Sequence, residues 1–231
     1  MANYKILIID ENKGQAEEFE AFFDNVSKSG ELQNQEFDII TLTTIEDENF
    51  LFDFIIKNEI DCVAFDYKLM ENNSSFYQQG DIYQIRLLEH FEDFPTFIIT
   101  NNADDYKIIN ADPFRIISKK IINYNADEQD ELREAINLID KICQLIDRYR
   151  ENIQVVENDF YDLITRQNNN EELNEDELSR IVELDSKLEN SISKKSKIPK
   201  DWKSPSGIEA ISNLLLNSEN ILQELKKLNN E

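Results

Sequence analysis

The chain has 231 residues, enough for one domain of ordinary size and a smaller appendage, and its 40% hydrophobic and 10% aromatic content is that of a folded protein. Its 24 basic residues face 48 acidic ones, and the formal charge of −24 excludes a nucleic-acid surface built on clustered Lys and Arg. There is no basic-then-apolar leader and no stretch as long as a membrane span, and the two cysteines suit a reducing compartment, so a cytoplasmic protein with neither nucleic-acid nor membrane partners is expected.

Short apolar runs alternate with longer amphipathic stretches along the first 125 residues. Lys5 to Ile9 reads as the first strand, with a helix over Gly14 to Lys28 behind it. Phe37 to Leu42 and Ile60 to Phe65 are the next two strands, separated by a helix over Glu46 to Asn58. A helix over Asp81 to Phe91 leads to the strand Thr96 to Thr100, and a short helix near Asp104 to Asn110 leads to the strand Phe114 to Ser118. Each run is nearly continuous in apolar or β-branched residues, as a strand covered on both faces should be. The alternation predicts an α/β domain with a five-stranded parallel sheet over residues 1–125.

From Asp127 the pattern lengthens. Leu132, Ile136, Ile139, Ile142, Ile146, Tyr149, Ile153, Val156, Phe160 and Leu163 follow at steps of three or four, one stripe of a single long helix with no Gly or Pro inside it. Roughly 40 residues of helix exceed what a sheet of this size needs for cover. Asn168, Asn169 and Asn170 break the pattern, and a second helix follows over Asn174 to Ile192, opened by a capping box of Asn174 and Glu177. A third helix is expected after Pro205 and Ser206, with Ile208, Ile211, Leu215, Ile221 or Leu222, Leu225 and Leu228 on its stripe. Residues 126–231 thus read as an all-α bundle or hairpin, whose coiled-coil-like stripe would bind a protein partner or pair two chains as a homodimer.

In a parallel α/β sheet the ligand site lies beyond the carboxyl ends of the strands. Here the first strand is followed by Asp10 and Glu11, the third by Asp66 and the fifth by Lys119 and Lys120, while the fourth ends in Thr100. Three carboxylates at neighbouring strand ends need a cation between them, and an oxygen-only set of this kind suits Mg²⁺. A helix cap explains one such acid but not three. Of the two lysines, Lys119 is the better candidate, since Lys120 would face the other side of the strand.

In Ile8–Ile9–Asp10–Glu11–Asn12, Phe65–Asp66–Tyr67–Lys68–Leu69, Ile98–Ile99–Thr100–Asn101–Asn102 and Ile116–Ile117–Ser118–Lys119–Lys120, over residues 4 to about 124, the sequence resembles the response-regulator receiver family of two-component signalling. Gly80 resembles the glycine that follows the phosphorylation loop. The resemblance implies a flavodoxin-like fold in which Asp66 takes a phosphoryl group from a histidine kinase. It also implies that Asp10, Glu11, Asp66 and the backbone carbonyl of Lys68 bind Mg²⁺, and that Thr100 and Lys119 contact the phosphoryl oxygens. The sequence departs from the family at Lys120, where proline is usual, at Ile116, where an aromatic is usual, and in the long loop Met70 to Gln79. Tyr106 and Phe114 are the aromatics available to stand in for the one missing at Ile116.

A signalling protein rather than an enzyme is therefore expected, its receiver part relaying to the helical module; the alternative is a pseudo-receiver adaptor without phosphotransfer. The C-terminal helices contain no histidine, since the only one is His90, so they cannot carry a histidine phosphotransfer site. A hydrolase of the haloacid dehalogenase type would need an aspartate where Asn12 stands. His90 and Trp202 read as packing residues, and the lysines between Lys194 and Lys203 as a solvated connector.

Overall fold

The computed structural model describes residues 2–29, 32, 35–69, 78–101, 112–169 and 171–192. The expected helix at 104–110, the helix after Pro205, Trp202, Tyr106 and most of the loop after Leu69 lie outside them. The strands are β1 (Ala2–Ile9), β2 (Gln35–Leu42), β3 (Cys62–Asp66), β4 (Thr96–Thr100) and β5 (Ile116–Ser118). The helices are α1 (Lys13–Lys28), α2 (Glu48–Asn58), α3 (Gly80–His90), α4 (Gln129–Asn168) and α5 (Glu175–Ile192), and short 3₁₀ turns flank β5.

All strand pairs are parallel and the order is β2-β1-β3-β4-β5, the flavodoxin-like arrangement. β3 and β4 are buried at every residue, which is why their sequences show no polar alternation. One face of the sheet carries Tyr4, Ile6, Ile8, Cys62, Ala64, Phe97 and Ile99 against α1 and α4; the other carries Leu7, Ile9, Val63, Phe65 and Ile98 against α2 and α3. The register sets Ile9 beside Leu42 and Phe65, Asp66 beside Ile99, and Thr100 beside Ser118, so the strand ends that carry the polar residues are adjacent.

The first compact unit runs from Met1 to Asn152, beyond the boundary at 125 suggested by the change in sequence texture. The reason lies in α4. Its first turns bury Ala135, Ile136, Ile139, Ile142, Cys143 and Ile146 in the core on the α1 side of the sheet. Polar contacts fasten the same segment to the start of β1 and to the residue before β3. The Tyr4 hydroxyl donates to Asp147 Oδ2 at 3.0 Å, and Arg150 pairs with Asp61 at 2.7 Å and donates to the Asn3 carbonyl at 2.9 Å. Asp61 in turn accepts from the backbone N–H of Lys5 at 2.8 Å.

The second unit begins at Ile153. Its described part is a helical hairpin in which Val156, Phe160, Leu163 and Ile164 of α4 pack with Leu173 and with Ile181 and Leu184 of α5. Arg166 pairs with Glu177 at 2.8 Å and Asp159 with Arg180 at 3.6 Å, a reversed order that makes the two helices antiparallel. Both halves of the capping box form: the Asn174 N–H donates to Glu177 and the Glu177 N–H donates to Asn174, each at 2.9 Å.

Cys62 and Cys143 are buried free thiols; burial pushes Cys143 up to about 12 and raises Cys62 as well, which leaves both unreactive. His90 stacks on Phe52 with ring centres 4.1 Å apart, a packing role. Among the described residues no helix is long and apolar enough to cross a membrane.

Four buried isoleucines of α4 contribute about 1.5–3 kcal/mol each, a sum comparable with the whole stability of a domain. A fragment ending at residue 125 is therefore expected to show no cooperative unfolding transition, whereas a fragment ending at residue 152 unfolds in one step. Urea titration followed by near-ultraviolet circular dichroism checks this, and a cooperative transition in the shorter fragment would contradict it.

Candidate functional site

Asp10 directly follows β1, Asp66 closes β3, Thr100 closes β4 and Lys119 opens the turn after β5. All four are buried polar residues at one end of the sheet, with Asp66 6% and Lys119 7% exposed. The Lys119 ammonium lies between two carboxylates, 2.7 Å from Asp66 Oδ1 and 3.0 Å from Asp10 Oδ2. Its third acceptor is the side-chain oxygen of Gln15. Asp10 uses its other oxygen, Oδ1, to accept the Asn12 N–H at 2.8 Å. It does not cap α1: Asn12 does, accepting the Gly14 N–H at 3.0 Å.

Lys119 and Lys120 part company at the 3₁₀ turn Lys119–Ile121, where the Ser118 hydroxyl accepts the Lys120 N–H at 3.3 Å. Lys119 turns inward and Lys120 is exposed. Glu11 is half-buried and Lys68 exposed, and both line the same small cavity of about 80 Å³ as Asp10, Asp66, Thr100 and Lys119. Asn12, Gln15 and Asn101 complete its wall. Gln15 and Asn101 were not singled out from the sequence. The available signal was position, since Gln15 lies in the first turn of the helix that starts beside the strand ends and Asn101 directly follows Thr100.

Gly80 sits where it must. Its N–H donates to the Tyr67 carbonyl at 3.0 Å, and a Cβ there would overlap the carbonyl oxygen of Asp66 and lie 2.9 Å from its carbonyl carbon. Only a residue without a side chain lets α3 start this close to the end of β3.

Burial pushes the Asp66 carboxyl from its ordinary value of 3.8 up to about 6; the Lys119 ammonium opposes the shift, and the charges of Asp10 and Glu11 add to it. Two buried carboxylates and Glu11 against one buried ammonium leave excess negative charge around a cavity lined with oxygen donors, a chemistry that suits a hard divalent cation. The fit is one of donor chemistry and charge. Among the described residues no three acidic, His or Cys side chains are gathered as a metal site, and Lys119 is the cation that Asp10 and Asp66 share.

Fold and strand-end cluster together define a flavodoxin-like α/β protein with a helical extension. No protein-family model and no curated protein matches the chain. Among solved structures it is similar to the anti-anti-sigma factor PhyR from Bartonella quintana, with 13% identity and a TM-score of 0.38 over 62% of this chain. The chain spans about half, 51%, of the length of that structure.

Asp66 makes native stability depend on pH. Below 3.8 it is protonated in both folded and unfolded states; between 3.8 and 6 only the unfolded state ionises, so stability falls as pH rises, by about 3 kcal/mol in all. Asp66→Asn removes that penalty. Its stability relative to the wild type is expected to rise by about 2 kcal/mol between pH 4.5 and pH 7.5 in urea titrations, and a pH-independent difference would contradict the assignment.

Proposed function

We propose that the chain is a receiver-type signalling protein in which Asp66 accepts a phosphoryl group from the phosphohistidine of a histidine kinase, and the helical part engages a protein partner. The observation that carries this reading is the joining of Asp66, Asp10 and Lys119 in one buried cluster beside Thr100, at the carboxyl ends of adjacent strands. In the transfer an Asp66 oxygen attacks phosphorus, forming an acyl phosphate as the phosphorus–nitrogen bond of the donor breaks and the electron pair leaves with the imidazole. Oδ1 is held by Lys119, which leaves Oδ2 as the attacking atom. Lys119, released from one of its acceptors, then donates to a phosphoryl oxygen, and the Thr100 hydroxyl donates to another. Asp10, Glu11 and Asp66, with the Lys68 carbonyl, would hold Mg²⁺, which when bound supplies neutralising charge for the transferred group.

A receiver-like adaptor without phosphotransfer is the second reading. One observation favours it: the half-buried Ile116 stands where the receiver resemblance calls for a mobile aromatic, so the familiar coupling of phosphorylation to an outer face lacks its side chain.

Incubation with acetyl phosphate followed by intact-mass measurement separates the two. Phosphotransfer predicts a phosphoryl adduct that requires Mg²⁺, disappears in Asp66→Asn, and forms more slowly below pH 6, where the Asp66 carboxyl is increasingly protonated. An adduct undiminished in Asp66→Asn would show that the nucleophile is elsewhere. No adduct in the wild type would leave the adaptor reading standing.

A further inference from the structure

Transfer of a phosphoryl group to Asp66 gives no task to Gln15, although its side chain touches Lys119. The residue is firmly placed. Its backbone N–H donates to the Asn12 carbonyl at 3.0 Å, and the next residue, Ala16, is fully buried in the core on the α1 side of the sheet. An ammonium group can only donate, so the carboxamide oxygen of Gln15 faces Lys119 and the two amide N–H donors face away from it. Among the described residues those two donors have no acceptor.

Gln15 also stands between two cavities. With Asn12, Asn101 and Lys119 it lines both the small cavity that contains Asp66 and a neighbouring one of about 400 Å³, which extends along α1 to Glu18 and Phe19. Water entering the Asp66 cavity from the larger one passes this side chain. The two other carboxamides on the shared wall are placed differently: Asn12 caps α1 with its oxygen, and Asn101 is exposed.

The three protons of the Lys119 ammonium are matched by three acceptors, Asp66 Oδ1, Asp10 Oδ2 and the Gln15 oxygen. An arriving phosphoryl oxygen is a fourth, so one acceptor has to be given up. The neutral carboxamide is weaker than either carboxylate and is the one released. Gln15 is then left with a free oxygen as well as free N–H donors, beside an acyl phosphate.

We propose that Gln15 is the positioning residue for hydrolysis of the Asp66 acyl phosphate, its released oxygen accepting a hydrogen bond from the attacking water and its amide N–H donating to a phosphoryl oxygen. The proposal rests on phosphotransfer to Asp66. The water oxygen bonds to phosphorus, and the phosphorus–Oδ2 bond breaks with its electron pair returning to the Asp66 carboxylate. The water proton passes to a phosphoryl oxygen and inorganic phosphate leaves. A carboxamide cannot take that proton; it orients the water, as a glutamine does in GTP hydrolysis. The side chain that shares Lys119 in the resting state thereby sets how long the phosphorylated state lasts.

The test loads the full chain with acetyl phosphate in Mg²⁺ and removes the donor by desalting. Decay of the adduct is then followed by intact mass near neutral pH, once in buffer alone and once with hydroxylamine. Hydroxylamine cleaves an acyl phosphate at the carbonyl carbon, so its rate reports access to the site and not the orientation of water at phosphorus. In Gln15→Met, which keeps the length of the side chain without the amide, hydrolysis is expected to be at least about 10-fold slower while hydroxylamine cleavage stays within about twofold. Gln15→Asn, which keeps the amide on a shorter stem, is expected to hydrolyse at an intermediate rate. Decay is read on molecules already loaded, so the speed of loading does not enter. Equal hydrolysis in the wild type and Gln15→Met would overturn the proposal, and so would hydrolysis and hydroxylamine cleavage slowed in parallel, since that pattern reports altered access. Failure of both variants to carry an adduct would also overturn it, by placing Gln15 in the transfer itself. A wild type that takes no adduct would overturn this proposal and the phosphotransfer reading together, whereas a wild-type adduct whose decay is indifferent to residue 15 would remove this proposal alone.

Discussion

One ammonium group between two buried carboxylates governs the working end of this protein. Isolated, any of the three charges would be costly inside the sheet's rim; each carboxylate is tolerable because the Lys119 ammonium is within hydrogen-bonding distance, and the ammonium because both carboxylates are. The arrangement is still short of positive charge, which keeps the Asp66 carboxyl high for an aspartate and makes the cavity a place where added positive charge is stabilising. Several local features serve this cluster. The parallel register aligns the ends of β1, β3, β4 and β5, the turn after Ser118 directs Lys119 inward while Lys120 faces solvent, and Gly80 lets α3 begin against the Asp66 backbone.

The helix α4 shows how one periodic stripe can serve two neighbourhoods. Its first residues complete the core on the α1 side of the sheet, and its later ones, Val156, Phe160 and Leu163, belong to a separate cluster with α5. The stripe continues with unchanged spacing because both neighbourhoods ask for apolar side chains at steps of three and four. No change of pattern marks where one ends and the other begins.

That explains which parts of the structure were legible in the sequence. β3 and β4 were readable because strands covered on both faces are written as unbroken apolar runs, and the short β5 because Ile116 and Ile117 continue that texture up to Lys119. The capping box at Asn174 was readable because its two hydrogen bonds require those residue types three positions apart. The end of the first unit was not readable, since Asp127 marks a helix start and says nothing of what the helix covers. In the site, Asp10, Asp66, Thr100 and Lys119 could be found because strand ends are predictable places. Gln15 could not be found by residue type, because a glutamine in a first helical turn is commonplace until the structure sets it against an ammonium.

A double-mutant cycle on Lys119 and Asp66 tests the shared ion cluster most directly. At pH 7.5, Lys119→Met leaves two carboxylates without their buried cation and is expected to cost about 3–5 kcal/mol in urea unfolding. The same substitution made in an Asp66→Asn background strands only one carboxylate, so its cost should drop by at least 1 kcal/mol. Equal costs in the two backgrounds would mean that Lys119 and Asp66 do not share their charge in solution, and would contradict the account at its centre.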